Sequence, residues 1–224
     1  MGNCLQHEGR YAEAMDFYDR VLQQRPDYPD IHARLGVIFC DLQRYQESID
    51  SLKRAFRMKH RLKEESCYGV TFAISLAYLG KTEEALEAYR AAVRQNPKDA
   101  KALAGVGWAL LKLGNYAGAD PPLRAAIKVD PGHGRPYLHL SFVLAGLGKY
   151  DESLAAAEQF AALKPKDPLA HSNLVELRLQ IGTAQLKLGN WEAARIQCQL
   201  LQAMGSDKAE ELRTSISAND HRKS

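Results

Sequence analysis

Apolar residues return along this chain at steps of three and four, the period of a helix with one buried face. Residues 100–113 show it clearly, with Leu103, Val106, Gly107, Leu110 and Leu113 on a single stripe. Gly114-Asn115 then turns the chain, and a second amphipathic segment closes before Asp130-Pro131. Residues 207–217 place Ala209, Leu212 and Ile216 on one face of another helix. The apolar run from Val70 to Leu79 is interrupted by Thr71 and Ser75 and is too short to cross a bilayer. The pattern predicts short paired helices and an all-α chain.

The pairs recur. An aromatic residue follows a Gly-x or Gln-x turn at Tyr11, Tyr45, Tyr116, Tyr150 and Trp191, with Thr82 in the same place after Gly80-Lys81. Three residues on stands a small side chain: Ala14, Ser48, Ala85, Ala119, Ser153 and Ala194. Fifteen residues on come Pro26, His60, Pro97, Pro131, Pro165 and Ser206. Tyr11 to Tyr45, Thr82 to Tyr116 and Tyr116 to Tyr150 are each 34 residues, while Tyr45 to Thr82 is 37 and Tyr150 to Trp191 is 41. All markers slip together, so the longer intervals are insertions of three and seven residues.

This pattern resembles the tetratricopeptide repeat, a helix-turn-helix unit of 34 residues, from residue 1 to about residue 206. The resemblance implies a right-handed α-solenoid of stacked antiparallel helix pairs. A unit of this kind cannot bury its apolar stripe alone and must stack on its neighbours. The register gives a partial repeat at 1–28 and full repeats at 29–62, 63–99, 100–133, 134–167 and 168–206. A capping helix and a frayed tail follow at 207–224. Half of the first helix is missing from the opening unit, which points to a fragment of a longer protein. Gly107 and Ala119 are expected where two helices approach closely. Three departures are expected to alter the stack. His60 replaces the terminal proline, with a lengthened turn at residues 62–64. Asp120-Pro121-Pro122 should cap a late-starting or kinked second helix. The seven added residues of the last repeat make two extra turns of its first helix, started by Asp167-Pro168.

Composition adds limits more than direction. At 46% hydrophobic and 25% charged residues the chain is globular, and a net charge of +3 is too slight to imply nucleic acid. No secretory signal opens the sequence. Cys4, Cys40, Cys67 and Cys198 form no C-x-x-C pair, which argues against zinc and disulfides and for a reducing, cytoplasmic setting. The seven histidines are scattered, and no nucleophile elbow, P-loop or dinucleotide fingerprint is present. No catalytic residue, metal site or cofactor is indicated.

In the family resembled here, the first helix of each repeat lines a concave groove through its second, fifth, ninth, twelfth and thirteenth positions. Carried over, the candidate partner-binding residues are Val37, Asp41, Val70, Ile74, Tyr78 and Lys101, followed by Trp108, Leu111, Lys112, Arg135, Leu138 and Phe142. The ninth positions Val37, Ile74, Trp108 and Phe142 make an apolar stripe, and aromatic residues are the usual anchors of a binding surface. Lys101, Lys112 and Arg135 are placed to meet carboxylates. The Lys and Asn pattern that clamps chaperone tails in some members is not matched: Arg34 and Thr71 stand in its places. A second candidate is the basic run of Lys53, Arg54, Arg57, Lys59, Arg61 and Lys63, which also complements the carbonyl end of a helix. The expected role is a non-catalytic scaffold holding a peptide or helix of another protein. The competing readings are the targeting region of a larger enzyme, such as a glycosyltransferase, and a self-associating assembly scaffold.

Overall fold

The computed structural model describes residues 10–59 and 66–220, which form helices and turns with no strand among them. Twelve helices follow in order: α1 (Tyr11–Gln24), α2 (Pro29–Asp41), α3 (Tyr45–Met58), α4 (Ser66–Tyr78), α5 (Thr82–Gln95) and α6 (Ala100–Lys112). Next come α7 (Tyr116–Val129), α8 (Gly134–Gly146), α9 (Tyr150–Leu163), α10 (Pro168–Lys187), α11 (Trp191–Ala203) and α12 (Lys208–Asp220). The chain is an all-α repeat solenoid that divides into two compact units, one ending at Val129 and one beginning at Asp130.

Turn chemistry sets the pairs. At the end of α4 the Gly80 N–H donates to Ala77 O, and the Lys81 N–H reaches back to Leu76 O at 3.0 Å. This five-residue reach is a Schellman closure and requires a left-handed residue after the helix. Gly80, Gly114, Gly148 and Gly189 supply it with φ between 73° and 79°, and Gln43 supplies it at φ 60°. The same bonds recur there, from Arg44 N–H to Phe39 O at 2.7 Å. Starts are capped where polar side chains permit: Asp99 accepts from the Ala102 N–H and Asp167 from the Leu169 N–H, both at 3.0 Å.

Small residues bring the paired helices together. Ala14, Ser48, Ala85, Ala119, Ser153 and Ala194 are all fully buried. A second small position stands nine residues before Tyr45, Thr82, Tyr116, Tyr150 and Trp191: Gly36, Ala73, Gly107, Ser141 and Gly182. A Cβ on Gly107 would stand 2.4 Å from Leu123 Cγ, and one on Gly36 would stand 2.5 Å from Leu52 Cγ. Leu52 and Leu123 are themselves sealed, each worth about 1.5–3 kcal/mol on burial. In the second unit Gly182 of α10 receives Leu212 of α12, whose Ala209 and Ile216 join the same cluster.

One expectation fails here. The second helix of the pair at 100–133 does not start late at Asp120: α7 begins at Tyr116 and carries Pro121 and Pro122 inside it. Asn115 supplies the start, its side-chain oxygen accepting from the Gly118 N–H at 2.9 Å. Burial of Ala119, Leu123 and Ala126 holds the turns on either side of the prolines, and Asp120 instead pairs with Arg124. Two missing N–H donors cost less than opening that seam.

Candidate functional site

In the first unit α2, α4 and α6 pack side by side, so equivalent positions on them form rows. The fifth-position row, Ala33, Val70 and Ala104, is buried. Leu138 and Leu179 hold this position in the second unit and are buried too. Val70 and Leu138, at 5% and 4% exposure, are therefore core residues and leave the candidate site; Leu138 packs with Phe160 and Ala170. The physical reason is shared: neighbouring first helices close upon one another at this position.

The ninth-position row stays partly open. Val37, Ile74 and Trp108 are each half-buried, and Val37 rests on the cluster of Ala33, Leu52, Ala55 and Tyr68. Leu111 is half-buried beside them in α6. The thirteenth-position row is the most open: Asp41, Tyr78 and Lys112 are exposed, Tyr78 to 65%. Lys101 is exposed at the opposite end of α6. Helix α4 contributes no charged side chain at all. A helix apolar on every side belongs in a core, yet this one turns Tyr78 to solvent.

Tyr78 is held in place. Its ring stacks on Tyr45, with centroids 4.4 Å apart and planes 2° from parallel. Burial, followed by the neighbouring Tyr78 and Cys40, raises the Tyr45 phenol above its ordinary pKa. Burial raises Tyr89 more strongly, with Cys40 and Tyr78 adding to it. Burial also pushes the Cys40 thiol up, while a hydrogen bond with Ser75 acts in the other direction. The Asp41 carboxylate accepts a long hydrogen bond from the Tyr11 hydroxyl at 3.4 Å.

The second unit offers less. Phe142 on α8 is 44% exposed and Arg135 is open to solvent. Beside α10 lies a hollow of about 340 Å³ lined by Tyr150, Leu179, Gln180, Thr183, Ala184 and Lys187. On α3 and just past it, Lys53, Arg54, Arg57 and Lys59 are exposed, with Lys59 Nζ 3.2 Å from Asp30. Arg61 and Lys63 of that run lie outside the described residues. No group of three or more His, Cys, Asp or Glu among the described residues is arranged to hold a metal. No helix among them is long and apolar enough to cross a membrane.

Two family descriptions of the tetratricopeptide repeat match the chain, over residues 5–60 and 70–135, together a little more than half of it. The chain is a tetratricopeptide repeat protein. Among curated proteins it is similar to protein FlbA of Caulobacter vibrioides, 25% identical over 191 residues, 83% of this chain and 30% of FlbA. It spans under a third of the length of the curated relatives it matches. Among solved structures it resembles Pseudomonas aeruginosa PilF, with TM-score 0.67 and 16% identity over 96% of this chain and 94% of that one. It also resembles YrrB, a tetratricopeptide protein with an unusual peptide-binding site, with TM-score 0.64 and 15% identity over 92% and 97%. At such identities the likeness concerns the fold.

Three features of this tetratricopeptide protein escape a reading of its sequence. The Tyr45–Tyr78 stack joins residues 33 apart on different helices, and the only linear hint is that both are aromatic. A buried polar seam crosses the second unit: Ser153 Oγ donates to Ser141 O at 2.7 Å, and Asn173 Nδ2 donates to Ser141 Oγ at 2.9 Å. Ser48 does the same in the first unit, donating to Gly36 O and accepting from Ser75. Serine among the alanines of the small-residue position was the available signal, since a buried hydroxyl needs a partner.

Proposed function

We propose that the chain is a non-catalytic, cytoplasmic interaction scaffold that takes a peptide or helical segment of another protein on the face of α2, α4 and α6. The observation that carries this reading is α4: thirteen residues without a charge, ending in a tyrosine stacked at its base and open to solvent. Ile74 and Trp108 extend the apolar surface, and Asp41, Lys101 and Lys112 border it. Aromatic anchors ringed by polar groups are where binding energy concentrates. In the second unit Phe142 and Arg135 offer comparable contacts. The peptide-binding site of YrrB supports the same use of this fold.

The test uses side chains whose loss leaves the core intact. Tyr78→Ala combined with Lys112→Ala should abolish capture of a partner that the unaltered chain retains from native extract. Far-UV circular dichroism should not change. Undiminished capture by the double variant would place binding elsewhere.

A further inference from the structure

Charge is distributed across the face of the first unit in a definite order. On α2 the second and thirteenth positions are Asp30 and Asp41; on α4 they are Cys67 and Tyr78; on α6 they are Lys101 and Lys112. Acid, uncharged and base therefore follow one another at both edges of the face. Helix stability accounts for Asp30 in the first turn of α2 and Lys112 in the last turn of α6, but not for the other two charges. Asp41 lies at the carbonyl end of α2 and Lys101 in the first turn of α6, each opposing the dipole of its own helix. Neither Lys101 nor Lys112 has an ion-pair partner among the described residues. Asp30 is already engaged by Lys59 at 3.2 Å, whereas Asp41 has no ion pair among the described residues and accepts a long hydrogen bond from the Tyr11 hydroxyl. A surface charge that weakens its own helix and lacks a counter-ion needs a reason outside the helix.

We infer that the segment bound on this face is itself dipolar, with a Lys or Arg over α2 and an Asp or Glu over α6. This rests on the proposed use of the face and adds the chemistry and polarity of the occupant. A cation beside Asp41 also meets the carbonyl end of α2. The neighbouring Tyr78 ring, with Tyr45 behind it, presents an aromatic face that favours a cation in the same place. Apolar side chains of the segment lie in between, against Ile74 and Trp108. Packed helices stand 8–10 Å apart, so α2 and α6 are separated by about 18 Å across α4. An extended chain advances about 3.3 Å per residue, which puts a base over Asp41 and an acid over Lys112 five or six residues apart.

The experiment selects phage-displayed random dodecapeptides on the intact chain, on Asp41→Lys, and on the Lys101→Glu, Lys112→Glu double variant. The unaltered protein should enrich sequences with a base and an acid about five residues apart around apolar residues. Asp41→Lys should replace the base by an acid, and the α6 variant should replace the acid by a base. A synthetic peptide selected on the unaltered protein should bind each variant about tenfold more weakly. The same enriched charges on all three proteins, in peptides that Tyr78→Ala still releases, would overturn the polarity and leave the face standing. Selected peptides indifferent to Tyr78→Ala, or no enrichment at all, would overturn both.

Discussion

At the ends of its first helices the N-terminal unit presents Asp41, Tyr78 and Lys112, where the C-terminal unit has Gly146 and Lys187. At the small-residue position facing the second helix, by contrast, the two units differ only between Gly36, Ala73 and Gly107 on one side and Ser141 and Gly182 on the other. Outer positions range over acid, aromatic, base and glycine, while the seam tolerates three small side chains. The contrast separates two layers of information. Close approach dictates the seam, since a Cβ on Gly107 or Gly36 would lie 2.4 or 2.5 Å from a leucine carbon of the paired helix. The outer row is not held to one kind of side chain by backbone approach.

The largest effects should come from breaking the seams, and both units should respond alike. Leu123→Ala in the first and Phe160→Ala in the second each remove a sealed side chain and should cost about 3–4 kcal/mol in urea unfolding. A loss below about 1 kcal/mol in either would show that its seam is loosely packed and the comparison uneven. A smaller effect is expected from the polar seam of the second unit. Asn173→Ala deletes the donor to Ser141 and should cost about 1–2 kcal/mol by the same measurement. The smallest has the opposite sign. Gln43→Gly relieves the left-handed turn after α2 and should raise stability by about 1 kcal/mol, bringing that turn level with its glycine counterparts.

Much of the architecture was legible because its determinants are local. The residue at the left-handed turn, the small side chain five residues later and the 34-residue return all follow from chain geometry within one repeat. Pro121 and Pro122 misled because local propensity favours a helix start there, whereas the burial of Ala119 and Leu123 is decided by α6. Val70 and Leu138 misled for a related reason: fifth positions are read as open from register, while packing buries them, Leu138 against Phe160 of its own repeat and Ala170 of the next. The outer row of Asp41, Tyr78 and Lys112 could be placed by register. That Tyr78 is braced by Tyr45, and that Lys101 and Lys112 have no ion-pair partner among the described residues, depends on contacts between repeats that no linear pattern displays.

The chain's two tryptophans, Trp108 in the first unit and Trp191 in the second, permit a direct test. In a Trp191→Phe background, Trp108 emission should shift saturably as a synthetic peptide selected on the chain is added. The shift should vanish when Tyr78→Ala is introduced. A peptide that binds with Trp108 emission unmoved, while Trp191 responds in the reciprocal Trp108→Phe background, would place the partner on the second unit and contradict the account.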